Sequence, residues 1–127
     1  MPGQDLAGRR IFLVEDETLV AVMIEQMVEE LGGTVVGSEA GIDGALTFLA
    51  THHSEIDVAL LDVNLNGNRS YDVANAISGH GIPLVFATGY TDDDIITEWR
   101  SRPVLAKPFR LAELEGALAM ALAPGPA

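Results

Sequence analysis

The chain alternates between two hydrophobic periods, and that alternation restricts the folds open to it more than any other feature. Short unbroken apolar runs occupy residues 11–14, 35–36, 58–61, 84–87 and 104–106. Alternating apolar and polar residues would suit a sheet with one wet face, whereas unbroken runs suit parallel strands covered on both faces. Between the runs the spacing turns helical. Val20, Ile24, Met27, Val28 and Leu31 form one stripe, stopped by Gly32-Gly33. Ile42, Ala45, Leu46 and Leu49 form a second, and Val73, Ala74 and Ile77 a third that ends at Gly79-His80-Gly81. Asp92-Asp93-Asp94 lead into Ile95, Ile96 and Trp99, with acids where the positive end of a helix dipole favours them. Leu111, Leu114, Leu118, Ala121 and Leu122 define a fifth helix. Five strands alternating with five helices predict an α/β domain, a parallel sheet with helices on both sides joined by right-handed crossovers. In this class ligands sit beyond the carboxyl ends of the strands.

Composition narrows the chemistry. With 127 residues and 48% hydrophobic content, the chain supplies one core, which excludes disorder as its main state. The absence of cysteine excludes a disulfide framework, a thiol nucleophile and a cysteine zinc site. Nineteen acids against seven bases give a net charge of −12, so neither nucleic acid nor an anionic membrane is an expected partner. The apolar run at 58–61 is too short to span a bilayer, and Met1-Pro2-Gly3-Gln4-Asp5 lacks the parts of a signal peptide. The expectation is a soluble cytoplasmic domain over residues 9–122, with loose ends at 1–8 and 123–127 and no output domain.

The strand ends carry the charge. Glu15-Asp16 follow the first run, Asp62 the third, Thr88-Gly89 the fourth and Lys107-Pro108 the fifth. Like charges about 4 Å apart repel by about 4 kcal/mol at an effective dielectric near 20. Three carboxylates in one crevice therefore either take up protons or bind a cation. Oxygen donors without His or Cys suit Mg²⁺. Lys107 is the only lysine in the chain. A point positive charge facing carboxylates and a metal is what a phosphoryl group needs on its remaining oxygens. Thr88 adds a hydroxyl donor beside Gly89, where backbone approaches closely. Asp62 then reads as a nucleophile that forms an acyl phosphate.

Glu15-Asp16, Leu61-Asp62-Val63-Asn64, Ala87-Thr88-Gly89 and Lys107-Pro108-Phe109, taken in order at strand ends, resemble the receiver domain of bacterial response regulators. The resemblance covers residues 10–122. It implies a doubly wound (βα)5, flavodoxin-like fold with strand order 2-1-3-4-5 and a Mg²⁺ or Mn²⁺ cofactor. It also implies that Asp62 is the phosphoacceptor, that Asp16 ligates the ion directly and Glu15 through water, and that the backbone carbonyl of Asn64 completes the protein ligands. Thr88 becomes the switch hydroxyl, and Lys107 the partner of a phosphoryl oxygen, with a cis bond before Pro108 common in the family. The implied partners are a sensor histidine kinase or histidine phosphotransfer protein and a downstream protein. A homodimer through the helix 4–strand 5–helix 5 face is a further implied contact. The receiver is expected to accept phosphoryl groups and hydrolyse them slowly, without being an enzyme in the usual sense.

This chain departs from the family at two places. Asn66 stands where a proline is common, and Val104 where an aromatic switch residue is common. Phe86-Ala87-Thr88-Gly89-Tyr90 resembles a stand-alone receiver subgroup with a Phe-Ala-Thr-Gly segment, which makes Tyr90 the candidate switch aromatic. Trp99 is weighed both as a partner-facing anchor and as core. Asp92-Asp93-Asp94 read as helix-start acids, and His52, His53 and His80 as surface residues at helix ends. Three rivals remain. A haloacid-dehalogenase-type phosphatase wants a second acid where Asn64 stands. A flavin carrier wants a hydroxyl-rich loop where Glu15-Asp16-Glu17 stand. The third is a degenerate receiver that binds partners without phosphorylation.

Overall fold

The computed structural model describes residues 6–89, 99 and 102–123. The described strands are β1 (Arg10–Val14), β2 (Thr34–Glu39), β3 (Val58–Asp62), β4 (Asn64–Leu65), β5 (Asn68–Arg69), β6 (Leu84–Thr88) and β7 (Val104–Ala106). The described helices are α1 (Thr18–Glu30), α2 (Ile42–His52), α3 (Tyr71–Gly79) and α4 (Leu111–Leu122), with a 3₁₀ turn at His53–Glu55. The helix expected through Asp92, Asp93, Asp94, Ile95 and Ile96 lies outside the described residues, as does Tyr90.

Five strands form one parallel sheet in the order β2-β1-β3-β6-β7, while β4 and β5 pair separately and antiparallel. Leaving that short ribbon out of the count, the order is the expected 2-1-3-4-5. Residue parity sorts the sheet faces, because successive strand side chains point to opposite sides. Phe12, Val14, Ala59, Leu61, Leu84 and Phe86 pack with residues of α2 and α3. Ile11, Leu13, Val58, Leu60, Val85 and Ala87 pack with residues of α1 and α4. β3 and β6 are buried along their whole length, which is why their sequences read as unbroken apolar runs.

Two helix stops follow from local chemistry. At the end of α1, Gly32 adopts φ +88°, its N–H donates to Glu29 O at 3.0 Å, and Gly33 N–H donates to Val28 O at 3.0 Å. At the end of α3, Gly81 (φ +74°) donates to Ser78 O at 2.9 Å, and Ile82 donates to Ile77 O at 3.2 Å. Both are paired carbonyl caps that need a left-handed residue. None of the described helices is long and apolar enough to cross a membrane.

One expectation needs correction, and one open alternative is decided. The first eight residues are not all loose, since Leu6 is 1% exposed inside the α1–α4 core and Gly8 N–H donates to Gly32 O at 2.9 Å. A single leucine seated under a helix end anchors a segment whose own composition carries no periodic signal. Trp99 is 5% exposed and packs edge-on to Phe86, with ring centroids 5.8 Å apart. Its apolar surface is satisfied by the sheet, so it is core and not a partner-facing anchor.

Gly37 permits one tight contact. The β1–β2 register shifts between Ile11 and Phe12, and the Phe48 ring, stacked on Phe12 with centroids 4.7 Å apart, fills the space above Gly37. A Cβ there would collide with three ring atoms of Phe48. Gly37→Ala is expected to lower stability by about 1–2 kcal/mol through overpacking. Urea unfolding checks this, and trimming Phe48 to Leu in the same chain should recover part of the loss.

Candidate functional site

The carboxyl edge of the sheet gathers the charged residues because each strand releases its chain there. β1 leads into Glu15 and Asp16, and Glu15 N–H still donates to Glu39 O at 3.0 Å, so the strand geometry extends through Glu15. β3 ends on Asp62, and Val63 N–H donates to Ala87 O at 3.0 Å. Lys107 N–H donates to Thr88 O at 2.7 Å, which ties the residue after β7 to the last residue of β6. The Lys107–Pro108 peptide bond is cis.

The side chains converge. Lys107 Nζ donates to Glu15 Oε1 and to Asp62 Oδ2, each at 2.8 Å. Oxygens of Glu15, Asp16 and Asp62 all lie within 4.8 Å of one another. Glu15 is 3% exposed and Asp62 4%. Backbone donors hold three further oxygens. Glu17 N–H reaches Glu15 Oε2 at 3.1 Å, Asn64 N–H reaches Asp62 Oδ1 at 3.1 Å, and Asn66 N–H reaches Asp16 Oδ2 at 3.0 Å. Thr88 is buried on the neighbouring strand end.

Burial decides the electrostatics. It pushes the Glu15 carboxyl up to about 7, against the opposing pull of Lys107. Burial likewise raises the Asp62 carboxyl, with Lys107 again working the other way. For Lys107 burial disfavours the charge, but hydrogen bonds and Coulomb attraction from Asp62 and Glu15 outweigh it, and its pKa rises. One ammonium thus serves two buried carboxylates, with a third carboxylate beside them. Such a set has room for more positive charge, and its all-oxygen donors fit a hard divalent cation such as Mg²⁺ or Mn²⁺.

The structure therefore brings together Glu15, Asp16, Asp62, Asn64, Thr88 and Lys107, places Trp99 in the core, and leaves Tyr90 outside the described residues. Two neighbours escaped the sequence reading. Ser70, fully buried, donates its hydroxyl to Asp62 O at 2.6 Å and lies 3.1 Å from Val63 O, bracing the backbone that carries Asp62. The β4–β5 ribbon places its tip against Asp16. Asn66-Gly67 between two short segments is a hairpin-turn signal that identifies such a ribbon in advance. A pocket of about 470 Å³ opens beside the acids, lined on its apolar side by Val20, Met23, Ile24, Met27 and Phe109.

Comparison with known proteins follows the same lines. Residues 11–119 match the family described as "Response regulator receiver domain". The transcriptional regulatory protein PdtaR of Mycobacterium tuberculosis is 30% identical over 118 residues, covering 90% of this chain and 57% of PdtaR. The phyllosphere-induced regulator PhyR of Methylorubrum extorquens is 30% identical over 127 residues, covering 94% of this chain and 47% of PhyR. The chain thus spans about half the length of these curated relatives. The solution structure of SdrG from Sphingomonas melonis Fr1 is 44% identical, with a TM-score of 0.81, covering 91% of this chain and 98% of SdrG. SdrG has also been solved in a BeF3-activated conformation, which matches with a TM-score of 0.78, 44% identity and coverage of 92% and 98%.

Proposed function

The chain belongs to the response regulator receiver domain family, and from that premise we propose that it is a Mg²⁺-dependent phosphoacceptor that takes its phosphoryl group on Asp62. The carrying observation is Lys107 Nζ at 2.8 Å from both Glu15 and Asp62, with Asp16 completing a cluster of three carboxylates. SdrG, 44% identical, has a BeF3-activated form, and a fluoroberyllate is a tetrahedral stand-in for a phosphoryl group.

The donor is a phosphohistidine of a sensor kinase or phosphotransfer protein. One Asp62 carboxylate oxygen attacks phosphorus, an O–P bond forms, and the P–N bond breaks with its electron pair leaving on the imidazole. Asp16, Asp62 and the Asn64 carbonyl would hold Mg²⁺, with Glu15 reaching it through water. The ion supplies positive charge for the oxygens of the transferring group. Lys107 exchanges its contact with Asp62 for one with a phosphoryl oxygen, and the Thr88 hydroxyl donates to another. Asn64 N–H and Ser70 keep the Asp62 segment fixed, so attack begins from a positioned carboxylate. Water later cleaves the acyl phosphate, slowly, and the chain acts as a switch, sink or shuttle whose output is a protein contact.

The test is incubation with Mg²⁺ and a small acyl-phosphate donor, followed by intact mass. The expected result is a gain of one phosphoryl group that disappears when the metal is chelated. No gain at saturating donor and Mg²⁺ would reject the phosphoacceptor reading in favour of a phosphorylation-independent interaction domain.

A further inference from the structure

We infer that the β4–β5 hairpin is a positioning device for the divalent cation, acting through the backbone N–H of Asn66 on Asp16; the inference rests on the reading of Glu15, Asp16 and Asp62 as a cation site. The hairpin is a two-residue turn. Asn64 pairs with Arg69 and Leu65 with Asn68, and the two residues between them both have positive φ, Asn66 at +54° and Gly67 at +86°. Asparagine and glycine are the residues that adopt this turn at least cost.

Three anchors fix the hairpin. Leu65 is 1% exposed within the α2–α3 core. Gly67 N–H donates to Asn64 Oδ1 at 2.9 Å, closing the turn across its base. Ser70 N–H donates to Val63 O at 2.9 Å, tying the far strand back to the segment after Asp62. The tip therefore has a defined position, and it uses that position on one distant residue. Asn66 N–H donates to Asp16 Oδ2 at 3.0 Å, fifty positions away in sequence.

That bond occupies one Asp16 oxygen and leaves the other to a cation, holding the carboxylate plane in one orientation. Donors to a ligating carboxylate raise metal affinity by pre-orienting it, and their removal costs about tenfold or more in affinity. A proline at position 66 could not do this, since it carries no N–H and its φ is fixed near −65°. Asn66 supplies that donor here. By linkage, an ion that prefers the oriented carboxylate strengthens the hairpin contact in return.

The experiment is Mg²⁺ titration of the full chain followed by amide NMR, on wild type, Asn66→Gly and Asn66→Pro. Asn66→Gly keeps both the N–H and the positive φ, so its affinity should stay within about twofold of wild type. Asn66→Pro should bind about tenfold more weakly, and equal affinity in the two variants would overturn the inference. If Asn66→Pro does not fold, the decision passes to the wild-type Asn66 amide. Slower hydrogen exchange there on adding Mg²⁺ supports the inference, and unchanged exchange overturns it. Phosphoryl uptake at saturating Mg²⁺ reports separately on Asp62. A wild type that binds Mg²⁺ yet takes up no phosphoryl group rejects the phosphoacceptor reading and leaves the hairpin's role standing.

Discussion

Asp62→Asn is expected to gain no phosphoryl mass under conditions that fully load the wild type, and to unfold at higher urea concentration than the wild type in the absence of metal. The two outcomes have one origin. The amide keeps the size of the carboxylate and the place of Oδ1 against Asn64 N–H, but it is not a nucleophile toward phosphorus. Glu15 stays paired with Lys107 and Glu17 N–H. Asp16 is turned toward the hairpin through Asn66 N–H. The stability gain follows from the sign of the shift. Burial raises the Asp62 carboxyl, so its ionised form is less favourable in the folded chain than in the unfolded one, and a neutral isostere removes that penalty. The amide NH2 stands where Oδ2 accepted from Lys107, so the ammonium turns away from it and keeps Glu15 as its partner. Mass gain on the variant would move the acceptor elsewhere, and a loss of stability would mean that Asp62 is held for structure.

Much of this was legible because it is local. The stops after α1 and α3 are written as glycines at positions that need left-handed backbone, and Gly32 and Gly81 occupy them. The sheet was legible because β3 and β6 are buried on both faces and so consist of apolar runs. Glu15, Asp62 and Lys107 were legible as a group because a parallel sheet delivers every strand end to one edge. What escaped depends on contacts between distant segments. Two-residue strands are too short to show a period, so β4 and β5 left only their Asn-Gly turn as a signal, and nothing local says that the turn reaches Asp16. Trp99 sits at the end of a helical stripe, yet its burial comes from packing with Phe86 of β6 on the same face of the sheet. Leu6 precedes every periodic segment and is held by packing beneath α1. The Glu15 value near 7 needs both the burial and the distance to Lys107, neither of which a sequence contains.

Lys107→Met should cost about 2–3 kcal/mol of stability near pH 8 in chelator, and below about 1 kcal/mol near pH 5.5. Removing one partner of a fully buried ion pair costs about 3–5 kcal/mol. The Lys107 side chain keeps 15% of its exposure, which places the expected loss under that range. The pH dependence comes from what replaces the ammonium. Glu15 keeps its proton to about 7 in the folded chain, against an ordinary value of 4.5. Between those values the folded state binds more protons than the unfolded, so this group's contribution is fully present below the lower value and is lost as pH rises through the upper one. The Lys107 hydrogen bond holds the Glu15 value down, and its loss moves the window further up. Near pH 5.5 a proton on Glu15 therefore stands in for the missing charge at little cost. Near pH 8 folding must either take up that proton far above its ordinary 4.5 or leave two carboxylates facing each other, and both cost stability. Urea unfolding at the two pH values checks this, and an equal loss at both would assign Lys107 to packing instead of charge. Mg²⁺ should recover more stability in the variant at pH 8 than at pH 5.5, because it competes with protons for the same oxygens.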